Sequence, residues 1–199
     1  MDTMVWSSAQ PQNVQKMVST AFGKHESRLL DVWARDKMGL TPMQYSKKVQ
    51  TTKDLRKIWS KHKAHSAKST LLLDDSPAKA FYQPNNHICL LEYIRTPPPP
   101  ASTSPAEDLA AQIGALSLDK PDASLDKTLL AIIGILTKLK DEQDVQQWIA
   151  NNGLFRDRPQ TGESAKAEES FWFTDSDIFA AWIGAGEEAL QQLDITLNV

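Results

Sequence analysis

The sequence predicts an α/β chain, and three observations carry that prediction. The apolar run Thr70-Leu71-Leu72-Leu73 reads as a buried strand of a parallel sheet. Apolar residues at helical spacing lie on both sides of it: Val14, Met17, Val18, Ala21 and Phe22 before, then Leu129, Ile132, Ile133, Leu136 and Leu139 after. The run also ends on two adjacent carboxylates, Asp74 and Asp75, followed by the turn or helix-start signal Ser76-Pro77. Open α/β sheets hold their ligands at the carboxyl ends of the strands. Two hard oxygen donors there suit Mg²⁺, which prefers one or two carboxylates with waters and phosphate oxygens. The competing interpretation is an acidic cap on the next turn.

In chain order, Gln10-Pro11-Gln12-Asn13 opens a helix that runs to Phe22. From there to Lys53, the residues Leu29, Leu30, Trp33 and Met38 are candidates to face the core, and Gly39 with Pro42 marks a break. Trp59 is expected to pack within a helix following Lys53. His62 and His65, in KHKAH, have no Cys or acid close by in sequence and read as exposed histidines rather than a metal pair. Residues 97–124 open with polyproline and Ser/Thr, a linker or insertion that could also dock an SH3-type or WW-type module. A helix pair follows over 125–153. Its second helix buries Val145, Trp148 and Ile149, and Asn151-Asn152-Gly153 stops it. Residues 154–199 form an acidic tail, polar and disordered from Arg156 to Glu169. A helix is expected over Asp177–Leu193, with Ile178, Trp182, Ala189 and Leu193 on one side and Gly184 and Gly186 weakening it.

With 199 residues the chain is long enough for a sizeable core. One cysteine, Cys89, excludes an internal disulfide, and no apolar stretch approaches a membrane span. The start MDTMVWSS is neither a secretory signal nor an Arg-rich transit peptide. These features point to an intracellular protein, nuclear or cytoplasmic. Residues 1–100 carry 15 Lys and Arg against 8 Asp and Glu, whereas the remainder carry 7 against 17. The basic half includes Lys47, Lys48, Lys53, Arg56, Lys57, Lys61 and Lys63, more simply a solvated face than a nucleic-acid stripe. No nucleic-acid-binding motif accompanies it.

The segment LLLDDSPAKAFYQPNNHI, residues 71–88, resembles the fourth motif of the haloacid dehalogenase superfamily. Within it, the similarity is to the branch of RNA polymerase II C-terminal-domain phosphatases, lipin phosphatases and the phosphatase-like subunit of the mitochondrial presequence translocase. Met4-Val5-Trp6-Ser7-Ser8-Ala9 resembles the second motif, a strand ending in a phosphate-gripping hydroxyl, with Ser7 aligned and Ser8 the alternative. Lys53-Asp54-Leu55 resembles the third, whose lysine neutralises phosphate and nucleophile charge. The resemblance implies a three-layer Rossmann-like parallel sheet. It assigns Ser7 and Lys53 to phosphate, and Asp74 and Asp75 to Mg²⁺.

The first motif of that superfamily, Asp-x-Asp, supplies a nucleophile and a general acid and base, and no segment of this chain carries it on a strand. Asp175-Ser176-Asp177 has the spacing without the strand. An aspartyl-phosphate route cannot run without its carboxylate. The resemblance therefore implies residues 1–96 as a partial phosphatase domain lacking its central strand, with no catalytic nucleophile and weak Mg²⁺ binding. A truncated record of a phosphoprotein phosphatase is the favoured reading. The alternatives are a non-catalytic subunit of the mitochondrial inner-membrane translocase, with its anchor upstream, and an interaction protein. The two strands flanking the central position must pair directly, leave a gap or recruit another segment, so a marginal, aggregation-prone product is expected.

Overall fold

The computed structural model describes residues 1–93, 126–155 and 171–195. The linker 97–124 and the polar stretch Arg156–Glu169 lie outside them. Strand β1 (Met4–Trp6) leads to helix α1 (Pro11–Phe22) and strand β2 (Asp31–Trp33). Helices α2 (Pro42–Tyr45) and α3 (Arg56–Lys61) precede strands β3 (Leu72–Asp74) and β4 (His87–Cys89). Helices α4 (Thr128–Leu139), α5 (Val145–Ala150) and α6 (Ser176–Gln192) complete the order.

All ladders are parallel, as the apolar run predicted, but the strands form two separate pairs. β1 runs beside β2 with Trp6 opposite Trp33, and β3 runs beside β4 with Leu73 opposite Ile88. No described residue supplies a strand between the pairs. Among the described residues the two strands expected to flank the central position do not pair with each other; each pairs with a different neighbour.

Helix α1 begins where Pro11 presets the first turn, and it ends at Gly23, whose φ of +49° suits glycine. Val14 and Val18 are its buried residues and pack with Ala34, whereas Met17 and Ala21 face solvent. Two of the five helical-spacing residues therefore lie off the core stripe. Leu30 is exposed, and Trp33 reaches the core from strand β2. Trp6 and Trp33 meet edge to face at 5.0 Å, in a core that also holds Met38, Leu55, Ile58 and Leu72, with Trp59 half-buried against it.

A second core joins β4 to the helices. Ile88, Ile135, Leu139, Val145, Trp148, Trp172 and Ile178 form it. The Trp172 indole donates to the Cys89 carbonyl at 2.8 Å, fastening the last described segment to β4. The tail helix spans nearly the expected residues and docks on its own domain, but Gly186 has the opposite role to the one anticipated. A Cβ there would lie 2.0 Å from the Leu130 carbonyl oxygen, and one at Gly134 would lie 2.3 Å from that of Trp182. The two glycines let α4 and α6 touch backbone to backbone. Asp175 caps α6, accepting from the amides of Asp177 and Ile178, so the Asp-Ser-Asp spacing belongs to a helix start. No described helix is long and apolar enough to cross a membrane.

Candidate functional site

The carboxyl end of β3 carries the chemistry. Leu72 is buried in the core, so the strand delivers Asp74 at its rim. One Asp74 oxygen accepts from the Lys53 ammonium at 2.6 Å, and the other accepts from the Ser76 amide at 3.0 Å. Both side chains of the ion pair are about nine-tenths buried, at 10% and 9% exposure. Desolvation makes such a pair costly to leave half-formed. The Asp75 side chain is exposed and makes no bond.

Lys53 is held from below. Its amide donates to the Lys79 carbonyl at 2.7 Å, which ties the backbone of the two lysines together. Lys79 donates to the Thr51 hydroxyl. Burial pulls the Lys79 pKa down; Asp74 and Asp75 oppose that, and the nearby charges of Lys53 and Arg35 add to it. Gln83 locks the same loop, accepting from the Leu55 amide at 3.0 Å and donating to Asp54 at 3.0 Å. It thereby satisfies an otherwise orphaned donor at the start of α3. The Asp54 carboxylate is held at about 2 by the Arg56 guanidinium and by Gln83, against the effect of burial. Asn86, fully buried, donates to the carbonyls of Ala67 and Thr70 and so fixes the entry to β3. The His87 imidazole donates to the Asp74 carbonyl at 2.9 Å, and burial pushes its pKa down.

Ser7 follows β1 directly, and its hydroxyl accepts from the Ala9 amide at 3.2 Å. No hydrogen bond connects it to Lys53 or Asp74. What links the β1 and β2 ends is Arg35, a residue that the sequence did not single out. Its guanidinium donates to the carbonyls of Ser8, Gln44, Tyr45 and Lys47. These include carbonyls of the last turn of α2, whose start is closed by a capping box between Thr41 and Gln44. Lys79, two residues from the Ser-Pro turn, carried a signal in its position four residues after Asp75. Arg35, between Trp33-Ala34 and Asp36-Lys37, carried no signal of its partners.

The basic run is not an open stripe. Lys53, Arg56 and Lys61 are paired with Asp74, Asp54 and Asp31, and Lys57 reaches the Lys37 carbonyl. Nor are the histidines free: His62 meets Asp31 at 3.0 Å and His65 meets Asp2 at 3.2 Å, both half-buried. Their acidic partners arrive from far upstream. The Asp31 carboxyl is raised by burial but pulled down more strongly by Lys61, His62 and the Trp33 indole, to about 2.

For a Mg²⁺ ion the carboxylates at hand are Asp74, which already accepts from Lys53 and Ser76, and the exposed Asp75; no group of three His, Cys, Asp or Glu side chains converges among the described residues. The arrangement can do something simpler. Lys79, whose ammonium meets the Thr51 hydroxyl and no carboxylate within salt-bridge distance, can attract an anion such as a phosphoryl group beside the Lys53–Asp74 pair.

A sequence model of the NLI interacting factor-like phosphatases matches residues 1–103. An uncharacterized FCP1 homology domain-containing protein of Schizosaccharomyces pombe (strain 972) is 36% identical over 100 residues, covering 46% of this chain and 41% of that protein. The chain thus spans under half the length of this curated relative. All the site residues described above, from Ser7 to His87, fall within the matched stretch, and the chain belongs to the NLI interacting factor-like phosphatase family.

Proposed function

We propose that residues 1–93 form the phosphate-recognising part of a phosphatase-type domain of the haloacid dehalogenase kind, and that the 199-residue chain binds phosphoryl groups without turning them over. The observation that carries this reading is the buried Lys53–Asp74 pair with Lys79 beside it. The two strand pairs would be the halves of one open sheet. Aspartyl-phosphate chemistry needs one carboxylate to attack phosphorus and a second to move the proton. Among the described residues Asp74 is spent on Lys53 and Ser76, and Asp75 has no second carboxylate to act as acid and base. Lys53 and Lys79 can stabilise charge on the phosphoryl oxygens, which lowers a barrier only where a nucleophile is present. Mg²⁺, the usual cation of this fold family, would be left with Asp75 and water, a feeble site.

Two measurements test the proposal. With millimolar Mg²⁺, the chain should hydrolyse neither a generic phosphomonoester nor a phosphoserine peptide above background. Inorganic phosphate should shift the amide resonances around Lys53 and Lys79, and Lys53→Met should weaken that binding. Turnover that disappears in Lys53→Met would sink the non-catalytic reading. Phosphate binding indifferent to Lys53→Met would sink the site itself.

A further inference from the structure

The Lys79 ammonium has a neutral partner where several other lysines have a charged one. Lys53 and Lys61 are held by Asp74 and Asp31, each at 2.6 Å, and Lys37 and Lys68 by Asp36 and Asp144 at 2.8 and 3.5 Å. Lys79 donates instead to the hydroxyl of Thr51, a residue only 2% exposed. Lys79 itself is half-buried, so a small molecule can reach its nitrogen from solvent. The surroundings do little to cancel positive charge. Asp74 is bonded to Lys53, and Arg35, 9% exposed, is bonded to four backbone carbonyls and to no carboxylate. Burial, with the charges of Lys53 and Arg35, holds the Lys79 pKa below the ordinary lysine value against the pull of Asp74 and Asp75. An amine that is desolvated and close to other cations gives up its proton more readily, and the neutral amine is the nucleophile.

We propose that Lys79, held by Thr51 in a cluster with Lys53 and Arg35, is an acylation site for acyl phosphates, small molecules that join a carboxylic acid to phosphate. This rests on the phosphate-binding reading of the same loop junction. The phosphate end is drawn by the positive field there, which sets the adjoining carbonyl carbon against the amine. The ammonium first gives one proton to solvent. The nitrogen then attacks the carbonyl carbon, the C–O bond to phosphate breaks, and one of the two remaining nitrogen protons leaves with the phosphate. The products are an amide on Lys79 and free phosphate. That amide carries no charge, so acylation removes a cation that attracts the anion and weakens the phosphate site.

Acetyl phosphate on the 199-residue chain provides the test, with the acetylated fraction at each lysine read by mass spectrometry over time. The uncharged N-hydroxysuccinimide ester of acetic acid serves as the comparison reagent, and calorimetry with inorganic phosphate runs in parallel. With acetyl phosphate, Lys79 should acetylate roughly fivefold to tenfold faster than the exposed Lys16 and Lys63. Inorganic phosphate should slow Lys79 and leave Lys16 and Lys63 unaffected. With the uncharged ester the preference for Lys79 should be smaller. Lys79→Gln, which carries a neutral amide at this position, should bind inorganic phosphate several-fold more weakly than the parent chain. Acetylation of Lys79 no faster than of Lys16, in a chain whose phosphate binding is normal and weakened by Lys53→Met, would overturn the acylation site and leave the phosphate site standing. An equal or greater preference for Lys79 with the uncharged ester would overturn the choice of acyl phosphates. A chain that binds no inorganic phosphate in calorimetry would remove the underlying site, and the acyl phosphate proposal with it.

Discussion

Around the strands, residues 1–93 combine two small apolar cores with a dense set of ion pairs and side-chain-to-backbone bonds; the helices of 126–155 and 171–195 hold together mainly by close apolar contact. Arg35 spans four carbonyls, Lys53 is buried against Asp74, and Asp31 collects Lys61, His62 and the Trp33 indole. In the helical part, Trp172, Ile135 and Leu139 are almost fully buried, and α4 meets α6 through Gly134 and Gly186. Polar positioning aims side chains at a ligand, because each hydrogen bond fixes a direction. Apolar packing supplies mass and stability without direction. On the reading proposed above, the difference makes the strand region the one that aims side chains and the helical region its support, joined where Trp172 bonds to Cys89 of β4.

The largest effect should come from attacking the helix contact. Gly186→Val puts a branched side chain where even a Cβ would lie 2.0 Å from the Leu130 carbonyl oxygen. The backbone cannot yield as a flexible side chain would, so a loss on the order of 3 kcal/mol is expected. Gly184→Ala, two residues away on the same helix, meets nothing within 4 Å. It should instead stabilise by about 0.5–1 kcal/mol through helix propensity. Urea unfolding of both variants checks this, and equal destabilisation at the two glycines would mean that the helices do not touch as described.

A smaller effect should appear in the strand region as acid is added. Asp31 titrates at about 2 in the folded chain instead of 3.8. Its folded pKa is depressed, so its stabilisation is fully present above about pH 4 and is lost as pH falls through about 2. The shift corresponds to about 2 kcal/mol. Asp31→Asn should therefore be less stable than the parent chain at pH 7 by up to about 2 kcal/mol, and nearly equal to it at pH 2. A gap that stays constant from pH 7 to pH 2 would show that Asp31 contributes no charge-dependent stability.

What the sequence revealed follows from how local each cause is. Helix α1 was legible because Gln10-Pro11 opens a stretch with Val14 and Val18 one turn apart. β3 was legible because an apolar run ended on acids, and the family resemblance rested on that same segment. β2 was not, since three residues are too few for a period to show. Gly186 misled because propensity is a local property, while its use here depends on Leu130, which lies 56 residues earlier in the chain. The same distance hid the partners of His62 and His65, whose aspartates lie far upstream. In the candidate site, Lys53 and Asp74 were named from motifs, but their pairing, and hence the loss of Asp74 as a free ligand, required the fold. Arg35 was invisible because its partners are backbone carbonyls, which no residue pattern announces.

The smallest effect compares the two regions at identical chemistry. Each has a buried indole whose N–H finds no acceptor, Trp6 in the strand core and Trp148 in the helical core. A buried unpaired donor is a cost, so deleting it can offset the loss of ring contact. Trp6 meets Trp33 edge to face, and its neighbours Met38 and Leu72 are adaptable side chains. Trp148 packs more rigidly, because a Cβ on Gly153 would fall 2.2 Å from its ring. Trp6→Phe should therefore change stability by less than about 1 kcal/mol in either direction. Trp148→Phe should cost more, about 1–2 kcal/mol, because the void left beside Gly153 has no side chain able to fill it. Urea unfolding of the two variants side by side reads the difference. If Trp6→Phe proved the costlier, the strand core would be the more tightly packed of the two, and the division between a positioning region and a supporting one would have to be redrawn.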